Sequence, residues 1–316
     1  MKQMAMATSG FQKFAKTTRR AQLLAEMDRV VPWAELCALI EPVHPIVGNG
    51  QPPKPLEMML RIHLHQQWFN LPDPGVAEAL YDSALMRRFA GIDLGQEPVP
   101  DETTILNFRH LLERNNLGMC IFHAVGAHLQ ARGMKLSNGT IVDATIVSAP
   151  PSAKNQQQQR DPEMHQTRKG NQWYFGMKVH VGVDRKTKLI HSTVVTAANE
   201  ADSTVLPELL HGDETAVWGD QAYRGQTEAI VRVAPRAKDL TNKRYRYRGV
   251  VDEIERGRNR VKSKVRSRVE HSIGVIKRVF GYAKVRYRGL RKNANQVFVL
   301  AALANQFMIR RRLMRT

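Results

Sequence analysis

Cysteine is scarce in this chain, and its scarcity argues against two kinds of site. Cys37 and Cys120 are the only cysteines among 316 residues, and they lie far apart. They lack the Cys-x-x-Cys spacing that is typical of zinc or redox chemistry. We therefore expect both to be small core residues of a protein from a reducing compartment.

Long apolar runs are also absent. No stretch approaches the ~18 residues that a membrane span needs. The N-terminus has no apolar segment followed by a small-residue cleavage site. The sequence therefore predicts a soluble, cytoplasmic protein.

Several enzyme motifs are missing as well. The sequence contains no His-Glu-x-x-His motif, no phosphate-binding Gly-x4-Gly-Lys-Ser/Thr loop and no Gly-x-Gly-x-x-Gly motif. Nor does it contain a convincing Cys/His or Gly-x-Ser-x-Gly arrangement for nucleophilic catalysis. Four histidines occur singly among apolar neighbours, and we expect them to be core or surface residues rather than metal ligands. They are His63, His65, His110 and His123.

Positive charge is abundant and localised. The chain has 48 Lys and Arg against 29 Asp and Glu, a net charge of +19. Residues 232–292 hold 21 of the basic residues and only 5 of the acidic ones. This concentration favours a polyanionic partner, nucleic acid first, over a solvated basic face without function. Tyrosines between the arginines, as in Arg244–Arg248, can stack on bases or sugars.

The hydrophobic period changes once along the chain. Residues 1–20 are predicted to form a loosely ordered basic arm. The rest of 1–132 has apolar residues at helical spacing, which predicts an all-α unit with a helix over Gly75–Phe89 among its elements. From Lys135 onward, β-branched runs predict strands that alternate with helices, an α/β order with a mixed sheet. The predicted strands are Thr140–Val147, Trp173–Val183, Leu189–Thr196 and Ala216–Asp220. Helices are predicted over Ala201–Leu210 and Thr227–Val233, and Ser148–Gln172 is predicted to be a long or partly disordered loop.

Three acidic residues stand out against these patterns. Asp143 interrupts an apolar strand, where a carboxylate needs a partner, which is either a structural hydrogen-bond donor or a metal. Asp220 ends a strand at the edge where α/β sheets bind ligands, although an Asp there is commonly a cap. Glu270 borders the apolar stripe of a helix predicted over Val261–Tyr282, where an ordinary i,i+4 ion pair with Arg266 is the alternative.

Taken together, the three carboxylates predict a metal site. Two acids from adjacent strands and one from a facing helix can hold two Mg²⁺ ions about 3.5–4 Å apart. One ion would activate water or a 3′-hydroxyl, and the other would stabilise the leaving oxygen. Such chemistry cleaves phosphodiesters without a protein nucleophile.

Ordered motifs run through both halves of the chain. The second half contains Thr140–Pro150, Arg160–Asp184, Ala197–Asp202, Trp218–Gly225 and Arg266–Gly281. The helical half contains Pro55–Trp68 and Pro100–Glu113. In this order, the motifs resemble those of bacterial insertion-sequence DDE transposases of the "insertion sequence five" family.

The resemblance implies a fold and a set of site residues. It implies an RNase H-like catalytic domain over 135–316, after an all-α domain over 1–132 that binds DNA and mediates self-association. Asp143, Asp220 and Glu270 would be the catalytic metal ligands, with Mg²⁺ as the ion and Mn²⁺ as a substitute. The family signature Tyr-x2-Arg-x3-Glu-x6-Lys is met at Arg266, Glu270 and Lys277 but has Ser263 at the tyrosine position, where Tyr245 or Tyr282 would have to substitute. The signature implies that Arg266 and Lys277 contact the DNA end. Further expected DNA contacts are Lys178, Arg286, Arg288 and Arg291.

The resemblance also implies partners and a reaction. The partners are double-stranded DNA, both terminal inverted repeats and target DNA, and a second copy of the chain or a larger oligomer. The reaction is cleavage at the transposon ends followed by transfer of the 3′-OH ends into target DNA. A nucleoid-associated protein of the bacterial cytoplasm is expected. Two alternatives remain: a nuclease of the same fold without strand transfer, and a DNA-binding protein without chemistry.

Overall fold

The computed structural model describes residues 16–46, 52–134, 136–154 and 158–315. Most of the predicted basic arm, residues 1–15, lies outside these ranges. None of the described helices is long and apolar enough to cross a membrane.

The first part of the described chain is helical, as predicted. Side-chain caps start several helices; Asp101, for example, accepts a hydrogen bond from the backbone N–H of Thr104 at 2.6 Å. The predicted helix Gly75–Phe89 is wrong as one element, because Ser83 ends one helix and its hydroxyl caps the next. The helices are α1 (Arg19–Val30), α2 (Trp33–Ile40), α3 (Leu56–Phe69), α4 (Asp73–Asp82), α5 (Ala84–Ala90), α6 (Glu102–Arg114) and α7 (Leu117–Ala131).

Two histidines of α3 belong to the core of this helical part. His63 is 3% exposed and His65 is fully buried, and neither ring nitrogen has a hydrogen-bond partner among the described residues. Burial lowers the pKa of His63 to about 4 and that of His65 to about 3. Both rings are therefore neutral core residues near pH 7, and the prediction of core histidines is confirmed for this pair.

A mixed sheet follows the helices. Its order is β2-β3-β1-β5-β6, with β4 alongside β2 on the same edge of the long strand β3. Strand β1 is antiparallel to β3 and parallel to β5. The strands are β1 (Gly139–Ser148), β2 (His165–Lys169), β3 (Gln172–Asp184), β4 (Ile190–Ala197), β5 (Ala216–Trp218) and β6 (Lys238–Asp239). A separate hairpin pairs β7 (Arg246–Tyr247) with β8 (Val250–Val251).

The segments between these strands differ from two predictions. Part of the predicted loop Ser148–Gln172 forms β2, because its residues find backbone partners along β3. The predicted helix Ala201–Leu210 is a 3-10 helix over Asp202–Leu209 that contains Pro207. Helix α8 (Thr227–Val233) has the predicted bounds.

The C-terminal helices are more broken than predicted. The single helix expected over Val261–Tyr282 is wrong. Helix α9 (Glu253–Arg266) begins at a cap from Asp252, and α10 (Val269–Gly274) starts after a break at residues 267–268. A π-helix over Val275–Val279 then follows. The last helix, α11 (Leu290–Leu313), is not predicted from the sequence.

Helix α11 joins the helical part to the sheet. Its Asn305 side chain bonds both backbone groups of Ile190 on β4, at 2.8 and 2.7 Å. Gln296 bonds Gln67 of α3 at 3.0 Å, and Arg310 pairs with Glu26 of α1 at 2.6 Å. One apolar core therefore runs from the N-terminal helices to one face of the sheet.

Successive residues of β1 point to opposite faces of the sheet. Ile141 belongs to the large core shared with the helices, whereas Val142 belongs to a smaller core under the 3-10 helix and α8. Asp143 therefore lies on the face of Ile141, toward the C-terminal helices. A helical N-terminal part followed by a mixed sheet with helices on both faces is the RNase H-like architecture that the resemblance implies.

Candidate active site

A cleft of about 710 Å³ opens on the face of the sheet that carries Asp143. Asp143 of β1, Asp220 after β5 and Glu270 of α10 all line it. The sequence places these residues far apart along the chain, and the structure brings all three to one cleft.

The parallel register of β1 and β5 aligns the two aspartates. Ile141 pairs with Trp218, so Asp143 and Asp220 each lie two residues further along adjacent strands. Between Trp218 and Asp220 the chain has Gly219, where an added Cβ would lie 3.1 Å from side-chain atoms of Val142 and Tyr223. The tight packing at Gly219 positions the start of the turn that carries Asp220.

Asp143 is held by two donors. Its Oδ2 accepts a bond from Arg266 Nη1 at 3.0 Å, and its Oδ1 accepts one from the backbone N–H of Ala144 at 2.9 Å. Burial raises the pKa of Asp143 to about 6 against the opposing effect of Arg266, and the charge of Asp220 adds to the rise. The partner that a carboxylate in an apolar strand requires is therefore Arg266 in this state.

Asp220 caps a helix, which is the alternative role that the sequence allows for an Asp at a strand end. Its Oδ1 accepts a hydrogen bond from the backbone N–H of Ala222 at 2.8 Å, which begins the 3-10 helix Gln221–Tyr223. A cap uses one carboxylate oxygen and leaves acceptor capacity on the other. Capping and lining the cleft are thus compatible.

Glu270 differs from the two aspartates. It lies one residue into α10, directly after the break that ends α9. Its side chain is exposed and has no hydrogen-bond or ion-pair partner among the described residues. The alternative of an i,i+4 ion pair with Arg266 is wrong, because Arg266 pairs with Asp143 instead.

Lys277 holds the π-helix against β1. Its ammonium donates to Thr145 Oγ1 at 3.1 Å and to the carbonyl oxygen of Ile146 at 2.8 Å. Burial lowers the pKa of this half-buried lysine, and the nearby Lys169 lowers it further. Two of its three N–H donors are thus engaged with the protein, and one is left for a ligand in the cleft.

The sequence analysis does not identify several residues that line the cleft. Asp202 is a fourth acid, and Arg168, Lys169 and Arg278 add positive charge. Asp202 ends the Ala197–Asp202 motif, which is the signal that could have identified it. Its carboxylate pairs with Lys178 at 2.8 Å, and Lys178 also donates to the carbonyl of Glu200 at 2.6 Å. Lys178, expected to contact DNA, is therefore largely occupied within the protein.

Three other expected DNA contacts, Arg286, Arg288 and Arg291, do not line this cleft. Arg286 donates to the backbone and side-chain oxygens of Asn70, at 2.6 and 2.5 Å, and so ties the C-terminal segment to the end of α3. Arg288 and Arg291 are exposed. Arg286 therefore has a structural contact. Arg288 donates a longer hydrogen bond to the carbonyl oxygen of Arg160 at 3.4 Å, and Arg291 has no hydrogen-bond or ion-pair partner among the described residues.

The donor set fits a hard divalent cation in its chemistry. Carboxylate oxygens are the ligands that Mg²⁺ and Mn²⁺ prefer. Within the described ranges, however, no three Asp, Glu, His or Cys side chains are grouped closely enough to hold one metal ion. The ligands are present in the cleft, but this state does not assemble them.

Two parts of the chain match families of known proteins. Residues 12–111 match a family described as Transposase domain (DUF772), and residues 135–306 match the family described as Transposase DDE domain. No solved structure matches the chain. The DDE match spans more than half of the chain and contains all four acids of the cleft. The protein therefore belongs to the family of transposases with a DDE domain, and its activity is that of a nuclease and transferase.

Proposed function

We propose that this protein binds terminal inverted repeats, cleaves the transposon ends and transfers the freed 3′-OH ends into target DNA. The observation that carries the proposal is the convergence of Asp143, Asp220 and Glu270 on one cation-lined cleft. Both reactions are in-line displacements at phosphorus and can share one site. Membership of the "insertion sequence five" family is part of the proposal, supported by the ordered motifs.

Asp143, Asp220 and Glu270 are the residues that would hold the divalent ions. Bound there, the ions would activate water or a 3′-hydroxyl and stabilise the charge on the leaving oxygen. Asp143 and Asp220 come from adjacent strands of a rigid sheet, which positions them precisely. Glu270 follows a break between two helices, so its position can adjust.

The cations of the cleft act on the DNA phosphate. Arg266, Lys277, Arg278 and Lys169 surround the acids and can bind non-bridging phosphate oxygens. They hold the scissile phosphate against the carboxylates and offset its charge as the attacking oxygen approaches.

The division of the chain into 1–132 and 135–316 belongs to this proposal. We assign recognition of the terminal repeats and self-association to the helical part and the chemistry to the RNase H-like part. Synapsis of two ends requires at least a dimer of the chain on DNA.

An end-joining assay tests the proposal. Purified protein is incubated with Mg²⁺, a linear DNA that carries the inverted repeat flanking its own gene, and a supercoiled target plasmid. We expect cleavage at the repeat and joined products in the target, but neither with a scrambled repeat. Cut ends that are never joined would favour the nuclease without strand transfer, and binding without cleavage would favour the non-catalytic protein.

The exposed hairpin β7–β8 supports a DNA-binding surface outside the cleft. Tyr247 is 58% exposed, and the guanidinium groups of Arg244 and Arg248 lie 5.2 and 5.3 Å from the centre of its ring. Arginines around an exposed ring can bind phosphates while the ring stacks on a base or sugar. We call Arg244–Arg248 the hairpin cluster and propose that it contacts DNA.

The salt dependence of DNA binding tests this surface. Each lost phosphate contact should reduce the slope of log K against log salt by about 0.9. Replacing Arg244, Arg246 and Arg248 by Ala should therefore reduce the slope by up to about three units. The matched triple variant at Arg286, Arg288 and Arg291 should reduce it by only about two, because Arg286 is bonded to Asn70. An unchanged slope in the hairpin variant would place that hairpin away from DNA.

A further inference from the structure

Arg266 satisfies Asp143 in the way a bound cation would. The two side chains are 25% and 15% exposed, and their charged atoms lie 3.0 Å apart. The other oxygen of Asp143 is already bonded to the backbone of Ala144. A metal ion that uses Asp143 as a ligand would therefore lie next to the guanidinium of Arg266, whose positive charge opposes its binding.

The same guanidinium has an unused donor. Nε of Arg266 is buried and has no acceptor among the described residues. A buried N–H without a partner is unfavourable, and in a charged group it is more so. Arg266 lines the cleft in which we place the scissile phosphodiester. The non-bridging oxygens of a phosphodiester accept hydrogen bonds from a guanidinium.

The helical hydrogen-bond pattern changes twice close to Arg266. Arg266 is the last residue of α9 and Glu270 is the second residue of α10, with the helix break at residues 267–268 between them. A π-helix follows directly after α10. Helix breaks and π-helices are places where a helix changes direction or register at low cost.

We propose that Arg266 is a placeholder cation, which pairs with Asp143 in the DNA-free protein and transfers to a phosphate of the transposon end when a divalent ion takes Asp143. The inference rests on the proposed function and adds a regulatory step to the same site. It accounts for three observations together: the described acids are not grouped around one metal position, Asp143 pairs with Arg266, and Nε of Arg266 has no acceptor.

Elementary electrostatics supports the exchange in this order. At equal distance, a divalent ion attracts the Asp143 carboxylate twice as strongly as a guanidinium does. The released guanidinium keeps five donors in a planar fork that matches a phosphate. Because each event frees the partner that the other needs, metal binding and DNA-end binding should strengthen each other reciprocally.

Mn²⁺ binding to the full chain without DNA tests the proposal, with free Mn²⁺ measured by electron paramagnetic resonance. Arg266→Gln removes the competing cation and should lower the apparent Kd about tenfold, as expected if the metal-competent state is a minor one. Arg278→Gln is the matched control, because it removes the same charge from the same cleft but Arg278 pairs with no described carboxylate. It should lower the Kd less than about twofold.

Two contrary outcomes are distinguishable. If wild-type protein binds Mn²⁺ and the two variants shift the Kd equally, the placeholder role is refuted while the metal site survives. If neither wild-type protein nor Arg266→Gln binds Mn²⁺, or if Asp143→Asn binds as wild type does, the metal site of the proposed function fails as well.

A measurement on the wild-type protein tests the release of Arg266 without requiring that a variant folds. Phenylglyoxal, which modifies free guanidinium groups, should react with Arg266 faster after Mn²⁺ is added, and Arg278 serves as the internal reference in the same peptide map. Equal reactivity of Arg266 with and without saturating Mn²⁺ would contradict its release.

Discussion

Asn substitution at Asp143 or Asp220 should abolish cleavage of transposon ends while DNA binding continues. Each substitution replaces a proposed metal ligand by a neutral isostere and removes several kcal/mol of transition-state stabilisation. A loss of about 4 kcal/mol corresponds to a rate reduction of about a thousandfold. The measurement pairs a cleavage assay on labelled ends with a gel-shift assay of binding.

The control for this prediction is Asp213→Asn. Asp213 is 80% exposed, and its only ion pair in the described structure is the exposed one with Arg236. This variant should cleave at the wild-type rate. Cleavage within about tenfold of wild type in Asp143→Asn would remove Asp143 from the catalytic site.

Replacing Arg109 by Leu should cause a large loss of stability. Arg109 donates to Asp73 at 2.9 Å and to Glu113 at 2.5 Å, and all three side chains are at most 14% exposed. Its guanidinium also lies 4.1 Å from the ring centre of Tyr287. Without Arg109, Glu113 remains buried without a partner and Asp73 keeps only its hydrogen bond from Gln66 at 2.7 Å. Removing one partner of a buried ion pair costs about 3–5 kcal/mol.

Urea unfolding at neutral pH measures this effect. The matched control is Arg114→Leu, because Arg114 lies at the end of the same helix α6 but is exposed, and its change should stay within about 0.5 kcal/mol. If Arg109→Leu also changes the free energy of unfolding by less than about 1 kcal/mol, the network behaves like a surface ion pair. A large loss would show that the contact between α4, α6 and Tyr287 stabilises the junction of the two parts of the chain.

The sequence by itself determined the change from a helical part to an α/β part, and it predicted three of the acids that line the cleft. Short, β-branched apolar runs around Asp143 and before Asp220 identify strands, since residue type along a short segment is a local property. The ordered motifs then indicate which acids share a site. The fold class follows from the same local signals, because a run of helices followed by alternating strands and helices allows few architectures.

Local patterns do not predict every element. Helix α11 was missed because it packs against α7 and α1 as well as against β4, so its apolar residues form no one-sided stripe. The break after Arg266 was missed because the apolar spacing continues through it. Strand β2 was missed because its exposed, polar residues are held only by backbone pairing with β3.

Only the tertiary structure decided which charged groups meet. Arg266 pairs with Asp143 across 123 positions of sequence, and Arg286 reaches Asn70 across 216. Both contacts depend on how close two elements lie after packing, and the spacing of residues along the sequence does not give that distance. Sequence therefore predicted three of the acids in the candidate site, whereas packing of the C-terminal helices against β1 decided that Asp143 is held by an arginine.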